Sequence, residues 1–198
     1  SGTFLLEAAG IALGDASGTF LLEAAGIALG DAPGLSRDQE EFGFARLRAY
    51  DQALWRALRG AAAQRRQPAD RLAIYGSDLS ADAVARAQQN LAHAGIDDLV
   101  AVQRADLLTR DAPAHAGVMV ANPPYGERLG AEDELAAFYP RLGDALKKRF
   151  AGWDCWFLSA DTRLPKLVGL KPKRKIPLFN GPLECRLYAF AMVAGSNR

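Results

Sequence analysis

The chain is poor in the residues that would mark a metal centre, an oxidised scaffold or a membrane protein. Its 198 residues include two cysteines, Cys155 and Cys185, and two histidines, His93 and His115. Two thiols cannot build a disulfide framework, and these four residues show no metal-ligand spacing. Both cysteines are therefore read as reduced, and no metal is expected. No apolar run reaches the roughly 18–20 residues that cross a bilayer. There is no basic segment leading to a cleavage site, so a cytoplasmic protein is expected. The formal net charge is only +1. Without a global pull toward polyanions, any nucleic-acid surface has to be local. What is present is apolar material, 49% of the chain, enough for the core of one domain.

The most informative stretch is Val118-Met119-Val120-Ala121-Asn122-Pro123-Pro124-Tyr125-Gly126-Glu127-Arg128. Its first four residues lack polar alternation, which predicts a strand covered on both faces, as in a parallel sheet. Asn122 then stands at the strand's carboxyl end. Pro123 and Pro124 fix their own φ angles and push the residues before them out of the helical region. The result is a rigid turn at the edge where open α/β sheets bind ligands. A bare Asn-Pro marks a turn and nothing more. Asn-Pro-Pro-Tyr directly after such a strand suits a particular chemistry. The exocyclic amine of a nucleobase has its lone pair drawn into the ring. An Asn side-chain oxygen and a proline carbonyl can each accept one of its N–H bonds, which localises and aims the lone pair. The Tyr125 ring can stack on the base, a contact worth roughly 1–3 kcal/mol.

Taken in order, the chain begins with an exact repeat: residues 1–16 recur unchanged as residues 17–32. Two undrifted copies do not make a solenoid. Residues 1–16 are read as a duplicated, non-native segment and residues 17–198 as the domain proper. Ser17-Gly18-Thr19 reads as a loop feeding a helix N-terminus, where small residues admit a ligand to backbone N–H groups; a plain Ser or Thr cap is the simpler alternative. Residues 33–41 form a polar loop. Leu47, Tyr50, Leu54, Trp55 and Leu58 predict a long amphipathic helix to about Gln64. Leu72–Ser77 is a strand closed by Asp78, then a helix capped by Ser80, buried through Val84, Ala87, Leu91 and Ala94, and stopped at Gly95. An acid that closes a strand of a βαβ unit can accept hydrogen bonds from ribose hydroxyls; turn chemistry is the alternative. Leu99–Gln103 is the next strand, followed by Asp106-Leu107. Beyond the motif, Leu135 to Phe150 predict a helix kinked or restarted at Pro140. Trp153–Ser159 is a strand, and Thr162–Val168 a short helix. Lys173–Phe179 and Glu184–Val193 are two strands joined by Asn180-Gly181-Pro182, a hairpin signal.

Asn122-Pro123-Pro124-Tyr125 resembles the signature of S-adenosylmethionine-dependent methyltransferases that modify base amino groups. The longer Asn-Pro-Pro-Tyr-Gly-Glu-Arg-Leu is similar to bacterial 23S rRNA guanine-N2 methyltransferases of the RlmL (RlmKL) type. So are Ala32-Pro33-Gly34-Leu35, Tyr75-Gly76-Ser77-Asp78 and Asn180-Gly181-Pro182-Leu183-Glu184-Cys185. The resemblance implies an α/β, Rossmann-like class I methyltransferase sheet with a C-terminal antiparallel hairpin. It implies S-adenosylmethionine as cofactor and 23S rRNA as partner. Asn122 and Pro123 would hold the amine, Pro124 would shape the turn and Tyr125 would stack on the base. Ser17, Gly18 and Thr19 would line the cofactor. Asp78 matches the ribose-binding acid, with Leu79 beside it. Asp106 matches the acid that receives the adenine amine, with Leu107 beside the ring. The family's first strand and its Asp-Pro-x-Cys-Gly loop have no counterpart ahead of Ser17, so the sheet is expected without its first strand. The family also carries a THUMP domain and a second methyltransferase domain.

Local basic clusters occur at 147–149 and at Lys171, Lys173, Arg174 and Lys175. The second is read as an RNA contact; the first also suits a plain helix C-terminus. Two other functions fit the same residues: adenine-N6 methylation of DNA or RNA, and a non-catalytic RNA-binding fragment.

Overall fold

The computed structural model describes residues 18–35, 37, 42–123 and 132–193, and it leaves the side chains of 132–136 and 180 out of the description. Helices and strands alternate, then end in a hairpin. The order is α1 (Thr19–Leu29), α2 (Gln52–Ala63), β1 (Tyr75–Asp78), α3 (Ala81–His93), β2 (Ala101–Arg104), β3 (Gly117–Ala121) and α4 (Glu132–Arg149). It closes with β4 (Trp153–Ser159), α5 (Leu164–Leu167), β5 (Arg174–Asn180) and β6 (Leu183–Ala191).

The strands form two sheets. β1 pairs in parallel with β2, and a second sheet runs β3-β4-β6-β5. In that sheet β3 and β4 are parallel, while β6 is antiparallel to both β4 and β5. Among the described residues neither β1 nor β3 has a ladder partner on its other edge. The two sheets still share a core, because Tyr75 of β1 packs against the cluster that holds Met119 and Ala121 of β3. Among the described residues the strands thus form two separate sheets, with β1 and β3 each at an edge.

The larger core lies between one face of the second sheet and α4. Met119, Ala121, Cys155, Phe157, Tyr188 and Phe190 meet Tyr139, Leu142, Leu146 and Phe150 there, all fully or almost fully buried. The alternation in β4 is complete: Trp153, Cys155, Phe157 and Ser159 are buried, and Asp154, Trp156 and Leu158 are half-buried. β3 behaves alike, since Met119 and Ala121 are buried while Val118 and Val120 are only partly so. The expectation that both faces of this strand are covered therefore needs correction. The Met119 and Ala121 face packs on α4, and the other face is partly covered. A smaller core joins Leu21, Ala25 and Leu29 of α1 to Leu72, Ile74, Leu91 and Val100.

Four further expectations change. The amphipathic helix begins at Gln52, not before Leu47, because the Asp51 side chain accepts a hydrogen bond from Leu54 N at 2.9 Å and starts the helix there. Leu47 and Tyr50 precede it, and Tyr50 joins Phe42, Phe44 and Trp55 in an aromatic cluster. Ala94 is the exposed C-cap of α3 and not part of its buried face. α4 runs through Pro140 without a break. The proline ring faces solvent between buried Tyr139 and Leu142, so the core-facing side of the helix is kept. The hairpin turn is also tighter than its sequence signal. Asn180 still pairs with Leu183, which leaves Gly181-Pro182 as the two-residue loop. Gly181 takes φ +60°, which suits glycine, and proline's fixed negative φ excludes the mirror turn that Asn-Gly would favour.

Candidate functional site

The elements converge on one edge. Asn122 directly follows Ala121, the last residue of β3, and Asp78 is the last residue of β1. Asp106 lies two residues beyond the end of β2. Because β1 and β2 are parallel and paired through Asp78 and Arg104, the two acids stand at neighbouring strand ends, one strand spacing and two residues of offset apart, roughly 8 Å. This is the carboxyl edge, where α/β sheets hold their ligands.

Asn122 is half-buried, and Pro123 is buried behind it. The Asn122 Oδ1 atom is shut off from solvent and accepts no hydrogen bond. Buried carbonyl oxygens are seldom left in this state, because the group loses water without gaining a partner, at about 1–3 kcal/mol. An acceptor held ready in a rigid turn is what a bound N–H donor requires. Ser77 Oγ, next to Asp78, is a second buried polar atom without a partner. Pro124 and Tyr125, expected to complete the amine site, lie outside the described residues.

Asp78 and Asp106 are built alike. Asp78 Oδ1 accepts from Ser80 N at 2.8 Å, and Asp106 Oδ1 accepts from Leu108 N at 2.9 Å. Each carboxylate braces its own turn through one oxygen. Turn chemistry is thus present at both positions, and it also fixes where each carboxylate points. Leu79 carries an exposed side chain, 57% accessible, beside Asp78. Leu107 does not face the edge: it is 1% exposed and belongs to the core under β3 and β4. Nothing in the local pattern marks Arg104 as a support. Its Nε donates to the Leu79 carbonyl at 2.9 Å and ties the loop after β1 to the end of β2. That contact spans 25 residues, so no local pattern could announce it.

The start of α1 approaches the same region. Gly18 is its N-cap in the left-handed region at φ +71°, and no side chain caps the helix. The carbonyl of Gly18 accepts from Leu21 N and Leu22 N. A Cβ at Gly18 would stand 2.8 Å from Ala87 Cβ on α3, so backbone conformation and close packing both demand glycine. Gly76 is equally constrained, since its Cβ would meet Leu21 Cδ1 at 2.5 Å. These two glycines hold α1 tightly against β1 and α3. Thr19 opens the helix, and Ser17 lies outside the described residues.

The proposed RNA-binding lysines sit elsewhere. Lys173 Nζ pairs with Asp154 Oδ2 at 3.4 Å, at the amino end of β4 and away from Asn122. Lys175 lies over the Tyr188 ring, 5.7 Å from its centroid. Lys171 precedes this pair, and Arg174 begins β5. The structure places these four along the outer strand, not at the carboxyl edge.

Residues 14–189 match the RMKL-like methyltransferase domain family. The chain belongs to that family. It is 40% identical, over its whole length, to the Ribosomal RNA large subunit methyltransferase K/L of Shewanella baltica strain OS185. It is 39% identical to the protein of that name from Shewanella oneidensis, again over its whole length. The chain spans 26% of the length of these relatives. Among solved structures, SMU.472 complexed with SAH superposes with a TM-score of 0.86 at 30% identity, covering 96% of this chain and 49% of that one. A predicted N6-adenine-specific DNA methylase from Listeria monocytogenes superposes at 0.77 with 27% identity, covering 93% of this chain and 47% of that one. The fold is the Rossmann-like class I methyltransferase fold with its C-terminal hairpin.

Proposed function

We propose that this methyltransferase domain transfers a methyl group to the exocyclic N2 amine of a guanine in 23S rRNA. One observation carries the reading: the buried, partnerless Asn122 Oδ1 at the carboxyl end of β3, with Pro123 fixed behind it. In this reading Asn122 Oδ1 accepts one N–H of the amine and the Pro123 carbonyl accepts the other. Two acceptors on one NH2 group pull its lone pair out of conjugation and hold it in line with an electrophile. The cofactor of such a domain is S-adenosylmethionine, which supplies an electrophilic methyl group. Asp78 would hold its ribose hydroxyls, Asp106 its adenine amine, and the start of α1 at Gly18 and Thr19 its amino-acid end. Ser17 belongs to that same loop. Pro124 and Tyr125 complete the base pocket, with Tyr125 stacked on a base that is unpaired or flipped out. Leu79, exposed beside Asp78, offers an apolar surface for the adenine ring, whereas Leu107 supports the loop from the core.

The rRNA target rests on the kinship with the K/L proteins. In a longer protein, a THUMP domain and a second methyltransferase domain would help present that RNA. The kinship with the Listeria protein favours a second reading, adenine-N6 methylation, because the same two acceptors fit that amine equally well. The test is to incubate the protein with tritiated S-adenosylmethionine and either unmodified 23S rRNA or DNA, digest the products and identify the labelled nucleoside. N2-methylguanosine from rRNA supports the proposal. N6-methyladenosine transfers it to the second reading. No label in either substrate, with cofactor bound, leaves a nucleic-acid-binding fragment.

A further inference from the structure

The hairpin of β5 and β6 is longer than the sheet that carries it. β4 ends at Ser159, paired with Arg186, yet β6 begins three residues earlier at Leu183. Those extra residues pair only with β5, as Leu178 with Cys185, Phe179 with Glu184 and Asn180 with Leu183. At ~3.3 Å per residue, the tip stands about 10 Å beyond the end of β4. It projects at the carboxyl edge, the edge of Asn122. By register, Asn122 is level with Leu158, Leu187 and Ile176, so Phe179 is three residues further out. Three strand spacings separate β3 from β5 laterally. The two residues are therefore roughly 17 Å apart, within reach of one nucleic-acid strand but too far for one base.

Phe179 is 75% exposed, the most exposed of the large apolar side chains described. A phenylalanine ring standing in water at a substrate edge offers a face for stacking a base. Its surroundings favour nucleic acid over protein. On the face of Phe179 the nearest positions are Lys175, Pro177, Glu184 and Arg186, with Arg186 Nη2 holding Glu184 Oε1 at 2.9 Å. That pair neutralises the one acid, while Lys175, four residues back along β5, holds its ammonium over the Tyr188 ring. Leu178 and Leu183 project from the opposite face, so the tip does not form the continuous apolar patch of a protein interface. A single exposed aromatic ring beside a neutralised charge pair is a face on which a nucleobase can stack without regard to sequence.

We propose that Phe179 is a stacking platform for an unpaired nucleotide flanking the target base, so that the hairpin tip and Asn122 hold one RNA strand at two points. The proposal rests on the reading of the substrate as RNA. The experiment has two arms, and both compare wild type, Phe179→Ala and Phe179→Trp. In the first, fluorescence anisotropy measures binding of a labelled single-stranded rRNA segment. In the second, methyl transfer to 23S rRNA gives KM and kcat. Phe179→Ala is expected to weaken RNA binding and raise the RNA KM by roughly ten-fold or more, and Phe179→Trp to restore both. kcat and the affinity for S-adenosylmethionine should be unchanged, because the ring touches neither the amine nor the cofactor. A purely structural role would lower the melting temperature, which should not move for so exposed a side chain. Unchanged RNA affinity in Phe179→Ala overturns the proposal. So does an altered association state in sedimentation without a change in RNA affinity, which would make the tip a protein interface. If wild type methylates no RNA, the functional reading fails, while the binding arm still decides the role of Phe179.

Discussion

Replacing Asn122 with alanine tests whether the site stores part of its binding energy as an unmet hydrogen bond. In the free protein Asn122 Oδ1 is buried and has no partner. Such a group costs about 1–3 kcal/mol, so removing it should not destabilise the fold and can stabilise it. For a domain of 150–250 residues, 1 kcal/mol shifts the melting temperature by about 2–4 °C. The expected result for Asn122→Ala is therefore a melting temperature unchanged or a few degrees higher. Turnover should fall the other way. Loss of one preorganised partner of the reacting group typically lowers kcat by about 100- to 1000-fold. Cofactor affinity should stay near normal, because Asn122 meets the target amine alone. Differential scanning fluorimetry, calorimetry with S-adenosylmethionine and a radiometric transfer assay measure the three quantities. A stable variant with near-normal turnover would refute the acceptor role. A melting temperature lower by more than about 4 °C would refute it differently, by making Asn122 a structural residue of the turn.

Asp78 offers a cleaner separation. Asp78→Asn keeps an oxygen for Ser80 N but removes the charge, and it should raise KM for S-adenosylmethionine by roughly ten- to a hundred-fold with little change in saturated kcat; an unchanged KM would leave Asp78 as a turn residue only. Burial, reinforced by the charge of Asp154, pushes the Cys155 thiol up to about 12, and Cys185 is fully buried as well. Neither thiol should react with a disulfide reagent at pH 8 until the protein unfolds, and rapid labelling of the native protein would show that the core opens.

Much of this was legible in the sequence where one element alone determines the pattern. The alternation in Trp153–Ser159 marks β4 residue for residue, because one face is buried against α4. Ser80 and Gly95 bracket α3, since a hydroxyl that accepts from Ala83 N and a glycine at φ +66° are local devices. Periodicity failed at Leu47 and Tyr50 because apolar spacing cannot tell a helix from an aromatic cluster that gathers the chain ahead of it. At Pro140 the helix does not restart, because a proline on the solvent side leaves the packed side of the helix unchanged. The site divides in the same way. Strand ends revealed Asp78, Asp106 and Asn122, since they are punctuation in the chain. Whether Leu107 faces a ligand or the core, and whether Asn122 Oδ1 has a partner, depends on residues far away in sequence.

The two sheet edges among the described residues join fold and function. β1 and β3 each present an edge without a ladder partner among the described residues, and the candidate site residues stand on both edges. Asp78 and Asp106 belong to one side, Asn122 to the other. In a parallel sheet, about half of a strand's backbone N–H and C=O groups point toward each neighbour. The four residues of β1 and five of β3 therefore leave roughly nine such groups on the two edges. Each buried group among them costs about 1–3 kcal/mol while unpaired. One parallel strand between β1 and β3 would satisfy both edges, and it would set the distance between the ribose acid and the amine acceptors. The first repeat, Phe4–Leu13, is rich in Ala, Leu and Glu, a composition suited to a helix more than to a buried central strand. The prediction is that replacing residues 1–16 with the family's first strand and its Asp-Pro-x-Cys-Gly loop raises the melting temperature and strengthens S-adenosylmethionine binding by ten-fold or more. Calorimetry and thermal melts on the two proteins, side by side, measure it. Equal affinity and equal melting temperature would mean that residues 1–16 already complete the sheet and the cofactor site, and the reading of the repeat as a non-native segment would then be wrong.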